Sequence, residues 1–266
     1  MFRALVTLAL AAMALGTCAH AAEDPFPGIA AAYLVQVQGR TLWANAADKR
    51  LPLASLTKIM TALLVLERGE LDSVTTISAS AAAATGARLR LMAGSRMKVT
   101  DLLVATLVRS ANDACVALAE WHSGSAAKFV ETMNARARAL DLQNTHFENA
   151  CGFDADGQYS SASDLARLTE VALADERFRK IVALRRATLR SADGRRTYRI
   201  ETTNALLDRL PGAEGVKSGY TDKAGRCVVA LAQRDGRRVL LVMLDATDRW
   251  WDAHELIERA FAAARR

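Results

Sequence analysis

A serine and a lysine, Ser55 and Lys58, stand three residues apart in the apolar stretch LPLASLTKIMTALLVLERG, residues 51–69. Residues at this spacing share one face of a helix, so the hydroxyl and the amine can form a hydrogen bond. A serine becomes nucleophilic when a base removes its proton, and burial among apolar residues lowers the pKa of a lysine enough for it to be that base. The pair predicts acyl-transfer chemistry, although the same spacing also occurs in solvated surface pairs.

Two further short motifs could complete such a site. Ser110 and Asn112 lie between two apolar segments, where a hydroxyl could pass a proton and an amide could orient an amide substrate, although N-capping alone would also explain them. Lys217, Ser218 and Gly219 lie in a strand-like stretch, where a cation and a hydroxyl could hold a substrate carboxylate and the glycine would allow a close backbone approach. Each motif alone is a weak signal.

Apolar periodicity predicts the elements that must position these residues. The predicted helical segments are 51–69, 99–110, 112–122, 125–142, 161–175 and 249–264. After about residue 185, and again near the start of the chain, the pattern alternates with a period of two, which favours strands. The predicted strand segments are 31–47 and 185–200, each a hairpin, and 214–221, 225–233 and 237–246, the last two joined at Asp235-Gly236.

This order of elements predicts an α+β fold of the three-layer α/β/α type. An antiparallel sheet is built from both ends of the chain, and a helical lobe is inserted between them. A groove between the sheet and the helical lobe is the natural binding site. We expect the first hairpin to turn at Gly39-Arg40 and the second at Asp193-Gly194.

The N-terminus has the pattern of a secretory signal. Arg3 is followed by an apolar run of about a dozen residues and then by the small-residue sequence AHA. We predict cleavage after Ala21, which leaves residues 22–266 as one catalytic domain. A retained N-terminal anchor and lipidation at Cys18 are the alternatives. No later stretch is long and apolar enough to predict a membrane span.

Net charge and the histidine and cysteine patterns make some classes of partner and cofactor less expected than others. The 266 residues carry a net charge of +6, which could suit an anionic polymer, a membrane or simply a solvated basic face. Predicted export argues against nucleic acid as a partner. The isolated histidines and the cysteine spacings match no zinc pattern, so we expect neither a metal nor a cofactor.

The cysteines left after signal removal are Cys115, Cys151 and Cys227, and an exported protein could pair two of them. Cys115 lies within an apolar helical segment and is expected to be a buried free thiol. Cys151 and Cys227 lie outside the helical core, so we expect any disulfide to join these two.

Taken together and in this order, the motifs SLTK, SAN and KSG match the S-x-x-K, S-D-N and K-T-G set of penicillin-binding proteins and class A β-lactamases. The chain resembles the low-molecular-mass penicillin-binding proteins, the serine D-alanyl-D-alanine carboxypeptidase family. The stretches VRSANDACVALAEW and GVKSGYTDKAGRCVVA carry the resemblance further, and it covers roughly residues 27–262.

The resemblance implies a catalytic role for three residues. Ser55 would attack the carbonyl between the two terminal D-alanines of a peptidoglycan stem peptide and form an acyl-enzyme. Lys58 would be the base, and Ser110 would help to deliver the proton to the leaving D-alanine. Water would then release the shortened peptide, and β-lactams would act as covalent inhibitors by acylating Ser55.

It also implies substrate-binding roles. Asn112 would bind the amide side of the substrate, and Lys217 and Ser218 of the KSG motif, which ends at Gly219, would bind its terminal carboxylate. The backbone N–H groups of Ser55 and Tyr220 would form the oxyanion hole. Serine in place of the commoner threonine of KTG keeps the hydroxyl, so we expect function to survive this departure.

Several alternatives stay open. A D,D-endopeptidase, which cuts peptidoglycan cross-links, fits the same motifs. A class A-like β-lactamase is disfavoured because its E-x-x-L-N stretch is not found, and a non-catalytic wall-peptide binder because every motif position keeps usable chemistry. Because the sequence ends soon after the last predicted helix, we expect no stable membrane anchor and a periplasmic protein. Arg249 could bind the terminal carboxylate or be an ordinary surface arginine.

Overall fold

The computed structural model describes residues 26–265, and its centre is a five-stranded antiparallel sheet. Numbered along the chain, its strands are β1 Ala30–Val37, β2 Arg40–Asn45, β7 Ala213–Thr221, β8 Gly225–Arg234 and β9 Arg237–Ala246. The spatial order is β2-β1-β9-β8-β7, so the first strand of the chain pairs with the last. The prediction of a sheet built from both chain ends is confirmed.

The tight turns of this sheet follow from short-range sequence chemistry. Asp235 and Gly236, at φ 49° and 72°, join β8 to β9, as the sequence predicted. The β1–β2 turn consists of Gln38 and Gly39, at φ 49° and 76°, one residue earlier than expected. Two successive positive φ values match the right-handed twist of the strands that such a turn joins.

The inserted lobe contains eight helices and two small hairpins. Its helices are α1 Lys58–Arg68, α2 Ala79–Ala82, α3 Val99–Val108, α4 Asn112–Ser123, α5 Ala126–Ala139, α6 Ala162–Leu173, α7 Glu176–Val182 and α8 Leu206–Arg209. The hairpins pair β3 Val74–Thr76 with β4 Arg96–Lys98, and β5 Arg186–Arg190 with β6 Thr197–Glu201.

The sheet separates two apolar cores because its strands alternate in the direction of their side chains. Val228 and Leu241 face the C-terminal helix α9, Arg249–Ala263, whereas Val229 and Val242 face the helical lobe. Both faces are buried, which explains why β8 and β9 are almost continuously apolar. The predicted three-layer α+β architecture is therefore confirmed.

The predicted opening helix is shorter at its start than the apolar pattern indicates. Residues Ala54–Thr57 form a 3-10 turn, and the α-helix begins only at Lys58. It ends where predicted, at Gly69, which has φ 76° and donates its N–H back to the last turn.

The predicted cysteine pairing is wrong. The disulfide joins Cys115 to Cys151, with their Cα atoms 5.9 Å apart, and Cys227 is the buried free thiol. The face of α4 that carries Cys115 packs against the loop that contains Cys151. Cys227 points from β8 into the core between the sheet and the lobe. An apolar neighbourhood therefore did not distinguish a free thiol from a buried disulfide.

The predicted signal sequence, residues 1–21, lies outside the residues that the structure describes. Over residues 26–265, no helix has the length and apolar character needed to cross a membrane.

Candidate active site

Ser55 lies where the sheet meets the helical lobe, in the 3-10 turn that leads into α1. The preceding residue, Ala54, has φ 47°, in the left-handed region that residues other than glycine rarely adopt. Such backbone strain concentrates at functional sites. The turn leaves Ser55 half-buried at the wall of a cleft, while Lys58 behind it is fully buried.

The amine of Lys58 has three hydrogen-bonding neighbours. Its Nζ lies 2.9 Å from Ser55 Oγ and 2.7 Å from Asn112 Oδ1, and it also donates to the backbone carbonyl of Cys151. The amide and backbone oxygens can only accept hydrogen bonds, whereas a hydroxyl can also donate. A neutral amine that gives its two N–H groups to those two oxygens therefore directs its lone pair at Ser55 Oγ.

The surroundings of Lys58 favour that neutral form. Burial lowers the pKa of Lys58 well below its ordinary value, and the positive charge of Lys217 lowers it further. Both effects act against the ammonium form because neither water nor an anion compensates its charge. Geometry and electrostatics thus equip Lys58 to accept a proton from Ser55.

Asn112, the first residue of α4, is held from the opposite side of the cleft. Its Nδ2 donates to Thr85 O at 2.6 Å, and its backbone N–H donates to Ala87 O at 2.7 Å. Because the amide nitrogen is engaged by Thr85, the amide oxygen is turned toward Lys58. The supporting segment around Thr85 contains no motif that sequence analysis could single out.

Ser110 lies in the break between α3 and α4, at φ 61°. Its Oγ accepts a hydrogen bond of 2.9 Å from Lys217 Nζ, and the same amine donates to Ser218 O at 2.7 Å. Burial, followed by the charge of Arg249, lowers the pKa of Lys217 to about 7. Near neutral pH this lysine can therefore exchange a proton with Ser110.

The KSG motif lies on β7, an edge strand whose outer backbone groups face the cleft. Arg249 Nη1 donates to the carbonyls of Gly219 and Cys227, so these carbonyls face each other between β7 and β8. Successive residues of a strand direct their N–H groups to opposite edges. The N–H of Tyr220 consequently points to the free edge, where an oxyanion hole needs it. The side chain of Tyr220 is exposed.

Two glycines allow the segments to come this close. A Cβ on Gly219 would lie 2.9 Å from Ser55 N and from the Cβ of Ala54, and a Cβ on Gly152 would lie 1.9 Å from Ala54 O. Gly152 also has φ 86°, which disfavours other residues. Ser55 is thus held between β7 and the loop that follows Cys151.

The cleft between the sheet and the lobe has a volume of about 310 Å³. Among the predicted site residues, those that line it are Ser55, Ser110, Asn112, Ser218, Gly219 and Tyr220. The two predicted lysines, Lys58 and Lys217, lie fully buried directly behind that wall. The structure therefore brings all eight predicted residues to one place. Over residues 26–265, no group of three or more His, Cys, Asp or Glu side chains could hold a metal ion.

Arg249 also lines the cleft and is not an ordinary surface arginine. It is half-buried, stacks over the ring of Trp250 at 4.6 Å and is tied to the Gly219 carbonyl. Its Nε is buried with no hydrogen-bond partner. The guanidinium places a fixed positive charge beside Ser218, where a carboxylate would be bound.

The loop around Cys151 is the part of the site that sequence analysis missed. Asn149 Oδ1 accepts hydrogen bonds from the backbone N–H groups of Cys151, Gly152 and Phe153, at 3.2, 2.8 and 3.0 Å. This network presents the Cys151 carbonyl to Lys58. A backbone carbonyl leaves no residue-type signature, and only the pattern ENACGF, with an asparagine three residues before a glycine, could have indicated a tight loop.

The chain is similar in sequence to a family of known peptidases. The sequence profile of the peptidase S11 family, D-alanyl-D-alanine carboxypeptidase, matches residues 21–248. The chain is 35% identical over 249 residues to D-alanyl-D-alanine carboxypeptidase DacF of Bacillus subtilis, covering 91% of this chain and 64% of that protein. It is 33% identical to a D-alanyl-D-alanine carboxypeptidase of a Streptomyces species, covering 84% of each.

Two other similarities extend this picture. A D-alanyl-D-alanine endopeptidase of Pseudomonas aeruginosa is 30% identical to this chain, and the match covers 91% of this chain and 81% of that protein. The crystal structure of the Streptomyces K15 DD-transpeptidase superimposes with a TM-score of 0.82 at 30% identity, over 88% of this chain and 97% of that one. The chain spans only 53% of DacA of Escherichia coli and 64% of the Bacillus protein.

Proposed function

Because the chain belongs to the D-alanyl-D-alanine carboxypeptidase family, we propose that it is a serine peptidase that removes the terminal D-alanine from peptidoglycan stem peptides. One observation carries the proposal. Lys58 is fully buried, and its two other acceptors leave the lone pair of the neutral amine directed at Ser55 Oγ, 2.9 Å away. A general base placed in this way is what an unactivated serine requires.

Acylation follows from this arrangement. Lys58 takes the proton of Ser55 while Oγ forms a bond to the carbonyl carbon of the penultimate D-alanine. The negative charge moves to the carbonyl oxygen, where the N–H groups of Ser55 and Tyr220 stabilise it. Donors that are fixed before the reaction lower the barrier because they need no reorganisation.

Departure of D-alanine requires a proton on its nitrogen. Ser110 can supply it and take another from Lys217, whose pKa of about 7 suits a donor near neutral pH. The C–N bond breaks, and the free D-alanine leaves an ester on Ser55. Lys58 passes the proton taken from Ser55 to solvent, and Lys217 takes one up, so both lysines return to their starting states. Lys58 then accepts a proton from the water molecule that attacks the ester and returns it to Ser55 Oγ as the shortened peptide leaves.

Recognition of the terminal carboxylate falls to the opposite wall of the cleft. Ser218 offers a hydroxyl, and Lys217 and Arg249 supply positive charge beside it. Asn112 lies on the other wall and would hold the amide side of the stem peptide. β-Lactams would occupy the same cleft and acylate Ser55. No cofactor enters this scheme.

We further propose that residues 1–21 are a secretory signal and that residues 22–266 form one catalytic domain acting in the periplasm, where peptidoglycan is found. The disulfide between Cys115 and Cys151 supports export because such bonds persist in oxidising compartments. Edman sequencing or mass analysis of the secreted protein tests the predicted cleavage after Ala21.

Cleavage of peptidoglycan cross-links is the second candidate function, and the similarity to the Pseudomonas endopeptidase supports it. Mass analysis of purified muropeptides after incubation separates the two activities. Loss of one D-alanine from monomers indicates carboxypeptidase activity, and conversion of dimers to monomers indicates endopeptidase activity. The Ser55→Ala variant is the control, and it should neither convert muropeptides nor retain a fluorescent penicillin. Wild-type protein that is not labelled would overturn the proposal.

A further inference from the structure

A second cavity, of about 840 Å³, lies against the exposed face of the β5–β6 hairpin. We call it the hairpin groove. Its polar lining consists of Arg109, Arg186, Thr188, Arg199, Glu201 and Thr202. None of these residues belongs to the site described above.

The hairpin groove carries an excess of positive charge. Arg186 is paired with Glu201, Nε to Oε1 3.2 Å, so these two charges offset each other. Within the part of the chain that the structure describes, the side chains of Arg109 and Arg199 form neither an ion pair nor a hydrogen bond. Two unpaired guanidinium groups next to two threonine hydroxyls suit a ligand that carries carboxylates.

The hairpin groove is a direct neighbour of the catalytic cleft. Ser110 and Thr203 line the cleft, and the residues that precede them, Arg109 and Thr202, line the groove. The two segments are joined where Thr203 N donates to Val108 O at 3.1 Å. Each of these two joined segments therefore lines the cleft with one residue and the groove with the residue before it, so the two cavities adjoin along this boundary.

In the proposed mechanism this boundary is on the leaving-group side of the scissile bond. The carbonyl oxygen would lie between Ser55 N and Tyr220 N, and the departing nitrogen would lie near Ser110, which would protonate it. Thr203 Oγ1 is 3.3 Å from Ser218 Oγ, the group that would hold the carboxylate of a departing D-alanine. One residue extends at most about 3.6 Å along the chain, so a single D-alanine ends in the cleft.

We propose that the hairpin groove binds the carboxylates of a longer leaving group, the second stem peptide of a cross-link. This inference rests on the proposed function and assigns the same site an endopeptidase activity. The bond that breaks joins the D-alanyl carbonyl to a side-chain amine of the second peptide. The ester on Ser55 forms, the amine leaves with the proton passed through Ser110, and water hydrolyses the ester.

The test compares two substrates, and it compares variants inside the hairpin groove with one outside it. Arg109→Gln combined with Arg199→Gln should lower kcat/KM for a purified cross-linked muropeptide dimer about tenfold or more, as expected for the loss of charged hydrogen bonds at a partly exposed site. It should leave D-alanine release from a monomeric pentapeptide and penicillin labelling unchanged. Arg190→Gln, on the same exposed hairpin face but outside the groove, is the matched control and should leave both reactions unchanged.

A dimer whose free carboxylates are amidated provides an independent measurement. Wild-type protein should cleave it no faster than the double variant cleaves the unmodified dimer, because amidation also removes the carboxylate that Ser218 would hold. Equal rates of the double variant and wild type on the unmodified dimer, or equal losses on dimer and pentapeptide, would overturn the inference while leaving the proposed function intact. A wild-type protein that releases D-alanine but does not cleave dimers overturns the inference alone. Absence of both activities and of labelling overturns the proposed function.

Discussion

The backbone carbonyl of Cys151 accepts a hydrogen bond from the amine of Lys58, and the Cys151 side chain is bonded to Cys115 on α4. Asn112, one turn before Cys115, is another hydrogen-bond acceptor for the same amine. The disulfide thus ties together the two groups that orient the lone pair of Lys58. It holds Lys58 in place from outside the set of proposed catalytic residues.

Loss of this disulfide should slow acylation as well as lower stability. The bond closes a separation of 36 residues, for which the chain-entropy model gives about 3–4 kcal/mol and hence a fall in Tm of about 5–15 °C. We expect Cys115→Ala combined with Cys151→Ala to form the penicillin adduct about tenfold more slowly at a temperature where it is still folded. Stopped-flow labelling and thermal melts measure the two effects.

The free thiol provides the control for that experiment. Cys227→Ala removes a buried cysteine without touching Lys58, so it should retain the acylation rate of wild type. A double cysteine variant that melts earlier but is acylated at the wild-type rate would show that the disulfide has a purely structural role.

Replacement of Lys58 should abolish penicillin labelling without unfolding the protein. Arginine keeps the positive charge but cannot lose its proton, so Lys58→Arg removes the base. General-base catalysis contributes about 10²–10⁴-fold, which sets the expected loss in acylation rate. Lys58→Met, a neutral variant of similar length, tests the same assignment if the larger guanidinium prevents folding. Circular dichroism and gel fluorescence are the measurements, and a labelled, folded Lys58→Met protein contradicts the assignment.

Protein stability should rise between pH 7 and pH 9 because of Lys217. Its pKa is 10.5 as an ordinary lysine but about 7 in the folded protein. Over this interval the unfolded chain binds more protons than the folded one, so the free energy of unfolding increases with pH, by at most about 1.4 kcal/mol per pH unit from Lys217. The pKa of Lys58, also lowered by burial, adds a rise of the same sign. Lys217→Met should reduce this rise, leaving the part due to Lys58, in urea unfolding experiments at the two pH values. An identical rise in the variant would rule out Lys217 as its source.

The interval stops at pH 9 for a physical reason. Burial raises the pKa of the Cys227 thiol to about 11, so above about pH 9 the folded protein keeps a thiol proton that the unfolded chain has lost. For this thiol the free energy of unfolding therefore falls as the pH rises, which opposes the effect of Lys217.

Arg249 should matter for substrates with a free terminal carboxylate. We expect Arg249→Ala to raise KM for a D-alanyl-D-alanine peptide about tenfold or more, as for a lost charged hydrogen bond. The same variant should act normally on a thioester substrate that lacks the carboxylate. Arg226→Ala, which removes an exposed guanidinium that donates to Thr247 O, is the matched control. Equal losses on both substrates indicate instead that Arg249 only supports the Gly219 carbonyl.

The sequence by itself determined the sheet, the family and the list of motif residues. The short apolar runs of β8 and β9, joined at Asp235-Gly236, predict strands, and they are almost continuously apolar because both faces of the sheet are buried. The triplets SLTK, SAN and KSG are local, so their residue types and spacing could be read directly. The apolar setting of Lys58 also predicted the direction of its pKa shift.

Only the tertiary structure decided how these residues act together. The Cys151 carbonyl, the Thr85 carbonyl that fixes Asn112 and the pairing of Cys115 with Cys151 all depend on contacts between segments distant in the chain. Backbone carbonyls carry no residue signature, so the sequence could not identify the two carbonyl acceptors. All three cysteines are buried, so an apolar neighbourhood could not identify the pair that forms the disulfide. The positive charge of the hairpin groove likewise arises because Arg109 and Arg199, which are 90 residues apart, line one cavity.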